Sequence, residues 1–166
     1  NSAVAQNESV ANFSRSADSV QFCLSKGLGA PVGSMLLGTK DFIAEARIWR
    51  KRFGGGMRQA GILAAAGLIA LEESPKRLHF DHENAQILAE GVAGLNGITI
   101  DAEKVQTNIV IFEVSGTGKT SAEICERLKE QDIHAIPFGN SIRMVTHCDV
   151  SGADIDFTLR ALDKII

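Results

Sequence analysis

The stretch LSKGLGAPVGS, residues 24–34, constrains the fold of this chain more than any other. Gly27, Gly29, Gly33 and Pro31 rule out a continuous helix, because proline lacks the amide a helix interior needs and glycine weakens it. A β-branched and aromatic run (20–24) precedes the stretch, and a second apolar run (32–37) follows it. The pattern predicts a buried strand, a tight glycine turn and a neighbouring strand. Lys26 then stands at the mouth of the first strand. An amine desolvated there is freed to attack a carbonyl; the plainer reading is a solvated turn lysine.

The remaining bounds are broad. At 166 residues with 45% hydrophobic content, the chain can bury the core of one domain or two small ones. A net charge of −3 provides no basic field for nucleic acid. No apolar run approaches membrane-spanning length, and the first residues lack the charged start and apolar core of a signal peptide. Cys23, Cys125 and Cys148 are scattered and form no CxxC pair, so neither a zinc site nor a disulfide framework is indicated; free thiols fit a reducing cytoplasm. Cys23 reads as a small core residue.

Apolar periodicity predicts a short helix over 4–13 and an amphipathic helix over 41–52 with Phe42, Ile43, Ala46 and Trp49 on its inner face. Gly54-Gly55-Gly56 ends the latter. Residues 57–71 read as a helix apolar nearly all round, as in a helix buried between layers or subunits. Ser74 and Pro75 suit a helix start, and 75–95 carries Leu78, Ala85, Leu88 and Val92 inward until Asn96-Gly97. Beyond this the expected order is a strand (107–114), a helix (121–131), strands (133–136 and 142–147) and a closing helix (153–165). That is a small α+β layer with an antiparallel sheet. The expected division is 1–73 and 74–166.

Several polar residues are candidates for chemistry. Arg47–Arg58 brings cations beside three glycines, whose amides can approach an anion while arginine grips phosphate in bidentate fashion. Arg50, Lys51 and Arg52 equally suit a solvated helix C-terminus. Arg58 follows the glycines and opens an apolar helix, which favours phosphate contact. Arg143 lies within an alternating strand, where an arginine is usually exposed or salt-bridged, and His147 shares its face. His79 and His82 lie three apart on a helix without a third ligand, which reads as a polar face rather than a metal site. SGTGKT, residues 115–120, resembles a phosphate-binding P-loop, but Glu113 occupies the position of its leading glycine; a turn with a helix cap at Thr120 or Ser121 is the better reading.

Taken together, LSKGLGAPVGS, WRKRFGGGMRQAGILAAAG and SIRMVTHCDVS, in this order and spacing, resemble the low-specificity L-threonine aldolases over essentially the whole chain. These belong to the aspartate-aminotransferase-like (type I) pyridoxal-phosphate enzymes. The resemblance implies an α/β fold in which 1–73 closes the large cofactor domain and 74–166 forms the small C-terminal domain. It also implies that the chain is the C-terminal portion of a longer enzyme. Lys26 matches the Schiff-base lysine, Lys51 and Arg58 the basic residues near the cofactor, and Arg143 the arginine that holds the substrate carboxylate. The implied reaction is retro-aldol cleavage of L-threonine and related β-hydroxy-α-amino acids to glycine and an aldehyde, in a cytoplasmic homo-oligomer.

The family's ring-stacking histidine, Gly-Thr phosphate segment and pyridine-pairing aspartate match nothing in this chain. Asp18 lies too close to Lys26 to replace that aspartate, so the chain alone is expected to lack part of the site. The alternatives are another type I β-eliminating lyase, or a catalytically silent module that assembles through residues 57–71 or complements an N-terminal chain.

Overall fold

The computed structural model describes all of residues 1–166. In chain order its elements are α1 (Ser2–Ala5), α2 (Val10–Ser14), β1 (Ser19–Cys23), β2 (Ser34–Gly38), α3 (Lys40–Arg52), α4 (Gly61–Glu73), α5 (Leu78–Ala93), β3 (Ile109–Glu113), α6 (Ser121–Lys129), β4 (Ile136–Phe138), β5 (Ser141–Val145) and α7 (Gly152–Ile165). The chain divides into two compact units, one of residues 6–78 and one of residues 1–5 with 79–166. No helix is long and apolar enough to cross a membrane.

In the first unit β1 and β2 form an antiparallel pair, with Val20 opposite Leu37 and Phe22 opposite Met35. Thr39 caps α3 by accepting the amide of Phe42. The unit's buried cluster is small: Leu24, Ala30 and Ala70, with Phe22 and Leu28 against them. Gly67 lets α4 approach, since a Cβ there would lie 3.2 Å from Leu24 Cδ1. Several expectations fail here. The single helix predicted over 4–13 is two short ones, and the apolar helix starts at Gly61 rather than at Met57. Phe42 and Trp49 are exposed, because within this unit no layer covers that face of α3. Cys23 is only half-buried.

The second unit is a closed layer. β3, β5 and β4 form an antiparallel sheet in that order, with Arg143 opposite Ile111 on one side and Ile136 on the other. Alternation sends Val110, Phe112, Ile142 and Met144 into a core completed by Leu88 and Val92 of α5, Ile124 and Leu128 of α6, and Ile155 and Leu162 of α7. Capping boxes start α6 (Thr120 with Glu123) and α7 (Ser151 with Asp154). Residues 115–117 form a 3₁₀ turn that ends at Gly118 with φ 72°, so no phosphate cradle is built there. β4 spans Ile136–Phe138 rather than 133–136, and β5 stops at Val145, leaving His147 in the following loop. The helix predicted from Pro75 splits: Ser74–Lys76 is a 3₁₀ turn and α5 begins at Leu78.

Candidate functional site

Lys26 sits on a turn whose backbone is fixed at several points. The Leu24 amide donates to Gly33 (2.9 Å), Ala30 to Leu24 (2.9 Å) and Gly29 to Lys26 (2.8 Å). Gly29 adopts φ +75°, a conformation that glycine takes without strain. The side chain of Lys26 is exposed, so the desolvation expected for it is not provided by this chain. The strand before it ends at Cys23, and the turn carries the amine out of the small cluster around Leu24.

Two residues that the sequence did not single out for a site hold this turn. Ser74 is 5% exposed and donates its hydroxyl to the Leu28 carbonyl at 2.5 Å; Arg77 Nη2 donates to the Ser74 hydroxyl at 3.4 Å. A Cβ on Gly29 would lie 3.1 Å from that same guanidinium nitrogen. Ser74 looks like a helix cap in the sequence, and nothing local betrays a partner 46 residues away.

The cations of α3 face solvent. The chain folds back through Phe53, Gly54 and Gly55, whose amides donate to Trp49, Lys51 and Arg50. The side chain of Lys51 lies against Gly56, where a Cβ would come within 2.6 Å of Lys51 Cδ. Arg52 stacks over the Trp49 ring at 4.8 Å. Arg58 is exposed in the segment before α4. Carboxylates pair only with Lys76, Lys104 and His147, so Lys26, Lys51, Arg58 and Arg143 are all uncommitted.

Arg143 belongs to the second unit. It is half-buried on the sheet face opposite the core, where Ile109, Ile111, Ile136, Phe138 and Val145 are exposed. A guanidinium set among apolar side chains, with no carboxylate of its own, has its donors free for an anion. The same unit holds a cavity of about 410 Å³ lined by Leu88, Met144, His147, Asp149 and Phe157 among others, but not by Arg143. No lysine or arginine lines it, so it does not suit a carboxylate or a phosphate. His147 is paired with Asp149 at 3.5 Å. His79 packs on Phe80, and His82 Nε2 lies 2.8 Å from Asn1 Oδ1; burial holds His82 below the usual histidine range.

Residues 1–115 match the beta-eliminating lyase family. The chain is 41% identical over 166 residues to low-specificity L-threonine aldolase 1 of Arabidopsis thaliana, covering 99% of this chain and 46% of that protein. It is 42% identical over 153 residues to the low specificity L-threonine aldolase of Escherichia coli K12, covering 91% of this chain and 44% of that protein. It therefore spans about half the length of the curated relatives it matches. Among solved structures it superposes on a PLP-dependent aminotransferase from Streptococcus suis with a TM-score of 0.69 at 15% identity, over 89% of this chain and 41% of that one. The fold is accordingly part of the type I architecture expected from the sequence.

Proposed function

Since the chain belongs to the beta-eliminating lyase family, we propose that it supplies part of the active site of a pyridoxal-phosphate aldehyde-lyase acting on L-threonine and related β-hydroxy-α-amino acids. The observation that carries this reading is the fixed turn that presents the Lys26 amine. Lys26 stands on a fixed turn, and Arg143 stands half-buried on an apolar sheet face, and neither has a carboxylate partner. An amine free to bond a carbonyl and a planar cation free to grip a carboxylate fit the cofactor and its amino-acid substrate. The two threonine aldolase relatives support the substrate class.

When bound, pyridoxal phosphate supplies the electron sink for charge left at the substrate Cα. Lys26 is the residue that would hold the cofactor, through its Nζ amine, which the fixed turn presents to solvent. Arg143 takes the α-carboxylate through paired N–H donors and thereby selects which bond at Cα is aligned to break. The cleavage would break Cα–Cβ, turn the β-hydroxyl carbon into the aldehyde as its proton leaves to solvent, and return a proton to Cα to give glycine. Lys51 and Arg58 provide positive charge for the phosphate. The reaction belongs in the cytoplasm, where the three free cysteines stay reduced.

The first unit needs a partner. Ile62, Leu68 and Ile69 of α4 are 79%, 60% and 64% exposed, and an isolated two-stranded sheet is at best marginally stable. The partner is a second copy or the complementary portion of the enzyme. The same exposed helix is what favours the alternative reading of a silent assembly module. Pyridoxal phosphate added to the purified chain, followed by borohydride reduction and peptide mapping, separates the two. Label concentrated on Lys26 is the expected result. Because the chain alone is expected to lack part of the site, the labelling is repeated with the complementary portion of the enzyme added; label spread evenly over the exposed lysines in both would sink the enzyme reading and leave the module.

A further inference from the structure

We infer that Ser74 is a positioning residue for Lys26, acting through a single peptide group and backed by Arg77. The inference rests on the reading of Lys26 as the cofactor lysine. The peptide between Leu28 and Gly29 is held on both sides. Its N–H, on Gly29, donates to the carbonyl of Lys26 at 2.8 Å, and its C=O, on Leu28, accepts the Ser74 hydroxyl at 2.5 Å. One planar group therefore stands between the serine and the backbone of the lysine.

The serine itself has little freedom. It follows directly on α4, its amide region continues that helix by bonding to Ala70, and it is 5% exposed. Arg77, half-buried and without a carboxylate partner, donates to the same hydroxyl and lies over Gly29. The Ser74 hydroxyl thus accepts from the arginine and donates its own O–H to the Leu28 carbonyl. Gly29 at φ +75° would otherwise be free to rotate that peptide, since glycine tolerates either sign of φ. Rotation would break the Gly29-to-Lys26 bond and swing the lysine away from a fixed carbonyl target.

A group that positions a nucleophile changes its rate of reaction without touching the reacting atoms. In the chain carrying Ser74→Ala, the Gly29 amide is expected to exchange with solvent about tenfold faster, as for loss of one buried hydrogen bond. Borohydride trapping of pyridoxal phosphate on Lys26 is expected to slow by about tenfold, relative to trapping on Lys40 in the same sample. Ser74→Thr keeps the hydroxyl and restores both readouts; Arg77→Leu gives a smaller loss. The Ile43 amide, bonded to Thr39 within the same unit, reports whether each variant is folded. A folded Ser74→Ala chain with unchanged Gly29 exchange and unchanged Lys26 labelling would overturn the inference, as would a folded Ser74→Thr chain that behaves like alanine. Absence of preferential Lys26 labelling in the unsubstituted chain, with the complementary portion of the enzyme added, would instead bring down the cofactor reading on which the inference stands.

Discussion

The sharpest stability prediction concerns the crossing of two glycines in the second unit. Gly97 has φ +80°, and a Cβ built there would lie 2.5 Å from the Gly116 carbonyl carbon and 2.6 Å from the Thr117 nitrogen. The obstacles are backbone atoms, so no side-chain rotation relieves them. Gly97→Ala therefore incurs a left-handed backbone penalty and an overpacking penalty at once, together about 2–5 kcal/mol. Gly116 has no positive φ, and its Cβ would meet Gly97 Cα at 2.8 Å; Gly116→Ala incurs the steric part alone, about 1–3 kcal/mol. Gly118 has φ +72° with nothing within 4 Å of its Cβ, so Gly118→Ala incurs only the backbone part, about 1 kcal/mol. The three variants thus separate the two costs. Trp49 lies in the other unit, so its fluorescence is the wrong probe. Urea unfolding followed through the amides of Val110 and Phe112, both buried in this core, reads the correct unit. The Thr99–Glu113 bridge, bonded in both directions at 3.0 and 2.9 Å, should lose protection first in Gly97→Ala. If Gly97→Ala falls within about 0.5 kcal/mol of Gly118→Ala, the close crossing is not a real constraint and the reasoning fails.

Two further outcomes are expected in the same unit. Phe112 is 1% exposed at the centre of the core, and Phe112→Ala should cost about 3–5 kcal/mol in urea unfolding. The capping boxes predict a pH dependence as well as a mutational one. The Thr120 amide holds Glu123, and the Ser151 hydroxyl holds Asp154, below the usual carboxylate range. A depressed folded value means that the stabilisation is present above the unfolded value and is lost as pH falls through the folded one. Stability should therefore decline as pH drops through and below the ordinary carboxylate range. Ser151→Ala should remove about 1 kcal/mol at neutral pH and flatten part of that decline; an unchanged acid slope would contradict the assignment.

How much of this was legible in the sequence differs between the units, and the reason is physical. In the second unit helical spacing sends Ala85, Leu88 and Val92 inward, and all three are buried. There the chain carries both the apolar helix faces and the sheet they cover, so pattern and burial agree. In the first unit the apolar spacing of α3 is as regular, yet Phe42 and Trp49 are exposed. Periodicity tells which face is apolar, not whether the same chain covers it. The end of β5 is set by tertiary contacts: past Val145, Thr146 still bonds the Asn108 carbonyl through its amide and turns its hydroxyl to the Asp81 carbonyl, which composition does not foretell. Ser74 shows a third limit, since its tertiary hydrogen bond with Leu28 displaced the local capping role that its sequence neighbourhood suggests.

What the uncovered surfaces share is informative. The open face of the second unit's sheet carries Arg143 among isoleucines, and the thinly covered first unit carries Lys26, Lys51 and Arg58. Aliphatic side chains left in water around an unpaired arginine raise the cost of the isolated state and lower the cost of removing water from that arginine when an anion arrives. A surface serving only solubility would place carboxylates beside those cations, as Glu73 stands beside Lys76 and Asp101 beside Lys104. The proposed site residues Lys26, Lys51, Arg58 and Arg143 all lie on those open surfaces, where an added ligand or partner chain can reach them.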